Sequence, residues 1–171
     1  MTVGDTGGTV LPDAVLGVAA EVLTTLKAAG LRMVTAESCT GGLVAAALTY
    51  HAGSSAAVVG GFVTYSNAMK QVFLGVPETV LEQYGAVSEP VALAMVSGAL
   101  QAAAEADVAV AITGIAGPDG GNANKPVGLV WFGVMRRGRE PCAEHCVFSG
   151  DRTAVRAQAV TKALEMVRGV I

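Results

Sequence analysis

The sequence predicts an α/β fold in which a mixed sheet is packed between layers of helix. Three observations lead there. Apolar residues recur at helical spacing in the opening segment and again, more densely, over residues 90–106. Residues 108–113 form an uninterrupted apolar run of the kind found in a strand buried on both faces. Helix and strand patterns alternate through the first half, whereas three strand patterns in succession precede the last helix, so a parallel part and a hairpin share one sheet. The chain has 171 residues and is 52% apolar, with only 5% aromatic residues. A core built mostly from Ala, Val and Gly suits helices lying close on a sheet.

Residues 1–10, rich in Gly and Thr, are expected to form a disordered tail. Residues 11–171 then read as a single domain, with no internal repeat and no linker. Pro12 opens a helix whose apolar face is Val15, Val18, Ala19, Val22, Leu23 and Leu26, and Gly30 stops it. A short strand at 32–36 leads into a second helix at 42–50. Residues 58–65 form a strand with a candidate bulge at Gly60-Gly61. A short helix at 67–74 is stopped by Gly75 and Pro77, and residues 78–83 form a further turn or two.

The helix at 90–106 has Pro90 in its first turn and Ser88 as N-cap. One apolar stripe runs through Val91, Ala94, Met95, Gly98, Ala99 and Ala102. Another runs through Leu93, Val96, Leu100 and Ala103, and only Ser97, Gln101 and Glu105 form a polar strip. A helix apolar on most sides is buried on most sides. The sheet covers one stripe, and a second copy of the chain is expected to cover the other, with small residues such as Gly98 allowing close approach. The expectation is a homo-oligomer, with a dimer favoured. Strands at 108–113, 128–135 and 144–148 follow, with a polar turn at 136–139, and a helix over 151–170 closes the chain.

Charge and composition exclude several partners. The net charge is −3 with no long basic run, so nucleic acid is not expected as a partner. No apolar stretch reaches the roughly 18 residues of a membrane span. The N-terminus has no basic segment before an apolar block and carries Asp5, so the protein is read as cytoplasmic. Cys39, Cys142 and Cys146 are too few for a disulfide framework. Cys142, His145 and Cys146 cluster, but the other Cys and His are Cys39 and His51, so a second ligand pair is missing. No metal and no cofactor are expected.

Three polar islands interrupt otherwise bland segments. The first, Thr35-Ala36-Glu37-Ser38-Cys39-Thr40-Gly41-Gly42, follows a strand and opens a helix. Unpaired backbone N–H groups at such a helix start hold a phosphate or an oxyanion, and Gly41 and Gly42 would let a ligand approach. The plainer alternative is an ordinary cap supplied by Ser38 or Thr40. In the second, Thr64-Tyr65-Ser66-Asn67-Ala68-Met69-Lys70, Ser66 caps the short helix and Lys70 lies one turn in. Beside Met69 and Val72 its amine would be desolvated, and a neutral lysine is a general base; on a solvated face it is only a surface charge. The third, Thr113 to Gly121, follows the most apolar strand, where ligands sit in open α/β sheets, yet it matches neither a dinucleotide fingerprint nor a Walker loop. Neither histidine lies in an island, which leaves Ser with Lys, or Cys39 as a thiolate.

The sequence resembles the C-terminal domain of the CinA competence- and damage-inducible family, also found as a stand-alone nicotinamide-nucleotide amidase. The stretches that carry the resemblance are TAESCTGG (35–42), GFVTYSNAMK (61–70), GAVSEPV (85–91), TGIAGPDGG (113–121), KPVGLVWFGV (125–134) and FSGDR (148–152). They run in order over nearly the whole chain from Pro12 onward. The resemblance implies a three-layer α/β/α sandwich with a mixed, mostly parallel five-stranded sheet. It implies hydrolysis of nicotinamide mononucleotide to nicotinate mononucleotide and ammonia in pyridine-nucleotide recycling. It also implies Ser38 as nucleophile, Lys70 as base and Thr113 as a supporting hydroxyl. Substrate contacts are expected from Glu37, Cys39, Thr40, Gly41, Gly42, Tyr65, Ser66, Asn67, Gly114 and Arg152. Longer family members carry an N-terminal domain tied to pyrophosphatase activity; none of the matched stretches belongs to it, so no metal chemistry is implied. Two other readings stay open: an amidohydrolase acting on a related substrate, and a non-catalytic nucleotide-binding module linked to competence or DNA damage.

Overall fold

The computed structural model describes residues 11–171; the tail expected over residues 1–10 lies outside the described residues. The first helix, α1 (Asp13–Ala29), ends at Gly30, whose φ of +65° is the left-handed conformation that stops helices. It is followed by β1 (Met33–Glu37), α2 (Leu43–Thr49), a 3₁₀ turn at Ser54–Ala56 and β2 (Val58–Val63). Three helices come next, α3 (Asn67–Leu74), α4 (Glu78–Tyr84) and α5 (Glu89–Ala102). The chain then runs through β3 (Val108–Gly114), β4 (Leu129–Arg136) and β5 (Cys142–Val147) into α6 (Arg152–Arg168).

The sheet has five strands in the order β2-β1-β3-β4-β5. The β2–β1 and β1–β3 pairs are parallel, while β3–β4 and β4–β5 are antiparallel, so only β4 runs against the rest. The mixed, mostly parallel sheet is as expected. The irregularity expected at Gly60-Gly61 falls one residue earlier: Met33 faces Val58 and Val34 faces Gly60, so Val59 is skipped. One apolar cluster, through Val22, Leu26, Ile112, Phe132, Val160 and Leu164, joins the sheet to α1 and α6. A second, through Val34, Ala111, Met95, Ala99, Leu74 and Leu81, joins its other face to α3, α4 and α5. These are the three layers of the sandwich.

The structure corrects the basis on which a partner subunit was expected to cover α5. That helix is indeed buried along most of its length, but the chain itself supplies the cover. At Gly98 a Cβ would run into the Leu74 carbonyl at the end of α3, and at Gly133 it would run into the Ala92 carbonyl of α5. The small residues admit α3 and the sheet, not a second copy. Helix α5 also stops at Ala102 rather than at residue 106. The Arg137 guanidinium donates to the carbonyls of Leu100, Ala103 and Ala106 and so satisfies the end of the helix where the chain turns into β3.

Strand β1 leads out of the sheet with β2 on one side and β3 on the other. Its connection to β2 passes through α2 on one face, and the connection from β2 to β3 passes through α3–α5 on the opposite face. The carboxyl end of β1 is therefore the point where the winding reverses, and such points open a crevice. Ser38 is the first residue beyond it.

Candidate active site

The end of β1 is fixed on both sides. Ser38 N–H donates to Ile112 O at 3.0 Å, and Thr64 N–H donates to Glu37 O at 2.8 Å. The chain then turns sharply, Gly41 N–H donating to Ser38 O at 3.0 Å. Gly41 and Gly42 have φ of +59° and +96°, where a side chain would be strained. They form this turn, and a Cβ added at either would meet the Arg156 guanidinium or the Val63 side chain at 3.4 Å.

Glu37, expected as a substrate contact, is wholly buried and serves the fold. Its carboxylate accepts from the N–H groups of Gly42, Val44 and Ala45 at 3.0, 3.1 and 2.9 Å, and from Thr35 Oγ1 at 3.2 Å. An anion at a helix N-terminus is favoured by both the unpaired amides and the dipole. Glu37 therefore does the work for which Ser38 or Thr40 was the alternative cap, and both hydroxyls are released from it. The same bonds consume most of the amides proposed for ligand binding. With Gly41 and Leu43 bonded to Ser38 O and Thr40 O, only the N–H groups of Cys39 and Thr40 in this turn lack an oxygen acceptor among the described residues.

Lys70 enters from the opposite layer. Ser66 caps α3, its Oγ accepting from Met69 N–H at 3.2 Å, which sets Lys70 one turn into the helix. Only 1% exposed, Lys70 places Nζ 2.9 Å from Ser38 Oγ, 2.8 Å from Thr64 O and 3.2 Å from Tyr65 O. Strand β2 stops at Val63, so these two carbonyls face Lys70 instead of a neighbouring strand. Burial lowers the lysine from its ordinary value of 10.5 to about 8. The source of that burial differs from the expected one: Met69 and Val72 are exposed, and the loops bearing Ser38 and Thr64 enclose the amine. The arrangement also has a chemical direction. A neutral amine has two hydrogens, and two carbonyls that can only accept lie beside it. Its lone pair is left for the Ser38 hydroxyl.

The same environment works against Cys39 as the nucleophile. Burial pushes its thiol up to about 12, and the nearby Glu37 carboxylate works in the same direction. Its side chain belongs to the apolar core, so only its backbone faces the site. Thr113 is buried at the end of β3 and donates to Ala86 O at 2.8 Å. It anchors the loop before α5 and makes no bond to Ser38 or Lys70. Gly114 lies where a Cβ would meet Val130 and Leu129 of β4, a packing requirement. Asn67 is exposed at the start of α3.

Arg152 and Tyr65 bring the remaining islands together. Arg152, at the start of α6, donates to Gly117 O at 2.8 Å and to the Tyr65 hydroxyl at 3.3 Å. An exposed cation thus stands beside the residue whose carbonyl holds Lys70. Sequence reasoning missed Arg156, one turn further on, whose Nε and Nη2 donate to the carbonyls of Cys39 and Thr40 at 3.1 and 3.0 Å. Its spacing of four from Arg152 puts both on one helix face, but nothing in the local pattern reveals partners 117 positions away. A separate cleft of about 520 Å³, lined in part by Tyr84, Glu89, Lys125, Trp131 and His145, holds neither Ser38 nor Lys70. Lys125 is tied to Tyr84 O at 2.6 Å.

Comparison with known proteins points to the same residues' family. Residues 16–171 match the CinA C-terminal domain. The chain is 57% identical over 145 residues to nicotinamide-nucleotide amidohydrolase PncC of Enterobacter agglomerans, spanning 85% of this chain and 88% of that protein. It is 56% identical over 140 residues to the PncC of Escherichia coli K12, spanning 82% and 84%. Among solved structures, the competence/damage inducible protein CihA of Agrobacterium tumefaciens superposes with a TM-score of 0.92 at 44% identity, covering 95% of this chain and 99% of that one.

Proposed function

This chain belongs to the CinA C-terminal domain family, and from that premise we propose that it hydrolyses the carboxamide of nicotinamide mononucleotide, giving nicotinate mononucleotide and ammonia. The observation that carries the chemistry is the buried 2.9 Å contact between Lys70 Nζ and Ser38 Oγ. The substrate is that of the relatives named nicotinamide-nucleotide amidohydrolase.

A carboxamide is a weak electrophile and ammonia a poor leaving group, so the site needs an activated nucleophile, an oxyanion donor and an acid. Neutral Lys70, its two hydrogens on Thr64 O and Tyr65 O, takes the Ser38 proton as Oγ adds to the amide carbon. The oxyanion settles against the N–H groups of Cys39 and Thr40, which have no oxygen acceptor in the turn. Lys70 then returns the proton to the nitrogen, the C–N bond breaks, and ammonia leaves an ester on Ser38. Water, deprotonated by Lys70, adds to that ester, the bond to Ser38 Oγ breaks as Lys70 returns the proton to it, and the nicotinate product is released. The substrate's pyridinium is cationic, so its approach also disfavours a charged Lys70.

The substrate phosphate needs a different anchor, because Glu37 occupies the start of α2. Arg152 is the exposed cation beside Tyr65 and is assigned to it. Ser66 acts through capping α3, and Thr113 through holding the loop before α5. The proposal assigns the enzyme to the cytoplasm; among the described residues no helix is long and apolar enough to cross a membrane. A homodimer remains part of the proposal, its support now lying on α3, where Met69, Val72 and Phe73 are exposed at helical spacing.

The test is ammonia release from nicotinamide mononucleotide, its riboside and free nicotinamide. The mononucleotide is expected to be the best substrate, with Ser38→Ala losing at least about 10³-fold in kcat and Cys39→Ala only mildly affected. Preference for the riboside or nicotinamide would make this a different amidohydrolase. No release from any of the three would favour a binding module.

A further inference from the structure

Arg156 serves no step of the chemistry above, yet it is bound to the nucleophile's own turn. Its two bonds go to the carbonyls of Cys39 and Thr40. None of the ion pairs among the described residues includes it. A half-buried guanidinium set on two neutral carbonyls brings a cation onto the turn that follows Ser38.

Peptide geometry gives that contact a direction. The one cis peptide among the described residues is Gly117-Pro118, so the Cys39–Thr40 peptide is trans. In a trans peptide C=O and N–H point opposite ways in one plane. With Arg156 drawing the Cys39 C=O to one side, the Thr40 N–H faces the other. Residues 38–41 form a turn closed by Gly41 N–H on Ser38 O. The amide of the third residue in that turn, two positions beyond Ser38, is not taken up by the Ser38 hydroxyl, whose hydrogen-bond partner is Lys70. That amide belongs to Thr40, a wholly buried residue whose N–H lacks an oxygen acceptor and whose Oγ1 is likewise unpaired. Buried donors without acceptors are rare enough to need a reason, and these flank Ser38. A peptide whose carbonyl accepts from a cation is also a stronger N–H donor.

We infer that Arg156 is a positioning residue that orients and polarises the Cys39–Thr40 peptide, so that the Thr40 N–H stabilises the oxyanion formed when Ser38 adds to the carboxamide. The inference rests on the amidase reading above. Arg156 never touches substrate. Its effect grows as negative charge develops on the carbonyl oxygen, so it acts on the transition state and not on ground-state binding.

Arg156→Gln and Arg156→Lys, assayed for ammonia release from nicotinamide mononucleotide across roughly pH 6–10, test this. In Arg156→Gln, kcat is expected to fall about 10²-fold with KM within about threefold of the parent. The midpoint of the pH profile should stay in place, because Lys70 is untouched. Arg156→Lys keeps the charge but reaches one carbonyl, and should recover to roughly tenfold below the parent. A parental kcat, a loss confined to KM, or a displaced midpoint would each overturn the role; the last would mean that Arg156 acts through Lys70. Should Arg156→Gln fail to fold, the Lys variant decides by the same split, and a parental kcat there overturns the role. An inactive parent chain would instead overturn the amidase reading.

Discussion

Lys70 is held where an ammonium is least tolerated, and that single fact has two opposite consequences. In the proposed mechanism activity requires the neutral amine, whose value is lowered by burial to about 8, so kcat/KM is expected to rise with pH through a midpoint near 8. Lys70→Arg stays charged throughout that range and should lose about as much as Lys70→Ala, roughly 10³-fold or more. Stability follows the same shift. The unfolded chain keeps the lysine proton up to about 10.5, whereas the folded chain gives it up near 8. Between those values the unfolded state binds more protons, so stability rises with pH across that window and is lowest below it. Lys70→Met is therefore expected to be inactive yet more stable than the parent at pH 7, with the advantage shrinking toward pH 10. Urea unfolding at the two pH values reads this. A variant less stable than the parent at pH 7 would mean that the bonds to Thr64 O and Tyr65 O outweigh the desolvation of the charge.

At the scale of elements, the turn from β1 into α2 depends on Glu37. Three amides of α2's start converge on its carboxylate in a wholly buried site. Glu37→Ala leaves them without an acceptor and is expected to destabilise the chain by about 2–4 kcal/mol, measured by chemical denaturation. Glu37→Gln keeps a carbonyl acceptor and should recover part of that. If both variants were as stable as the parent but bound the mononucleotide more weakly, Glu37 would return to the substrate contacts. This is also where sequence and structure part company. Ser38, Lys70 and the cap Ser66 are legible as polar residues at a strand end and a helix start. Glu37 looks equally functional from its neighbours, because nothing local shows whether a carboxylate beside a nucleophile points to solvent or back onto its own helix. Thr35 and Glu37 alternate onto one face of β1, and α2 packs on that face. Only the packing of α2 turns this alternation into a buried cap. Arg156 was invisible for the complementary reason, since its partners are backbone carbonyls and leave no signature in side-chain pattern.

For the whole molecule, alternation of helix and strand followed by a late hairpin was enough to anticipate a mixed sheet between helical layers, and the reversal of winding at β1 opens the crevice to which the proposed chemistry is assigned. The same reading went astray on the cover of α5, because a helix apolar on most sides does not reveal whether its neighbours come from this chain or another. Here α3 fills the place, and in doing so it turns its own outer side to solvent. Met69, Val72 and Phe73 lie three and four residues apart on it and are 39%, 74% and 48% exposed. Large apolar side chains grouped on one helix face mark a contact surface more often than scattered ones do, and a two-fold axis is the commonest way to pair identical faces. A homodimer through α3 would lay a second helix over the element that carries Lys70, so assembly and the burial of the amine would be linked. Sedimentation at micromolar concentration is expected to give the dimer mass, and Val72→Glu to shift it to the monomer with unchanged circular dichroism. The linkage adds a second reading: the monomeric variant should show its pH midpoint displaced toward higher pH, because a less enclosed lysine is easier to charge. A parent chain that sediments as a monomer at every concentration would rule the dimer out. A monomeric Val72→Glu with the parental midpoint would leave the dimer standing but separate it from the site.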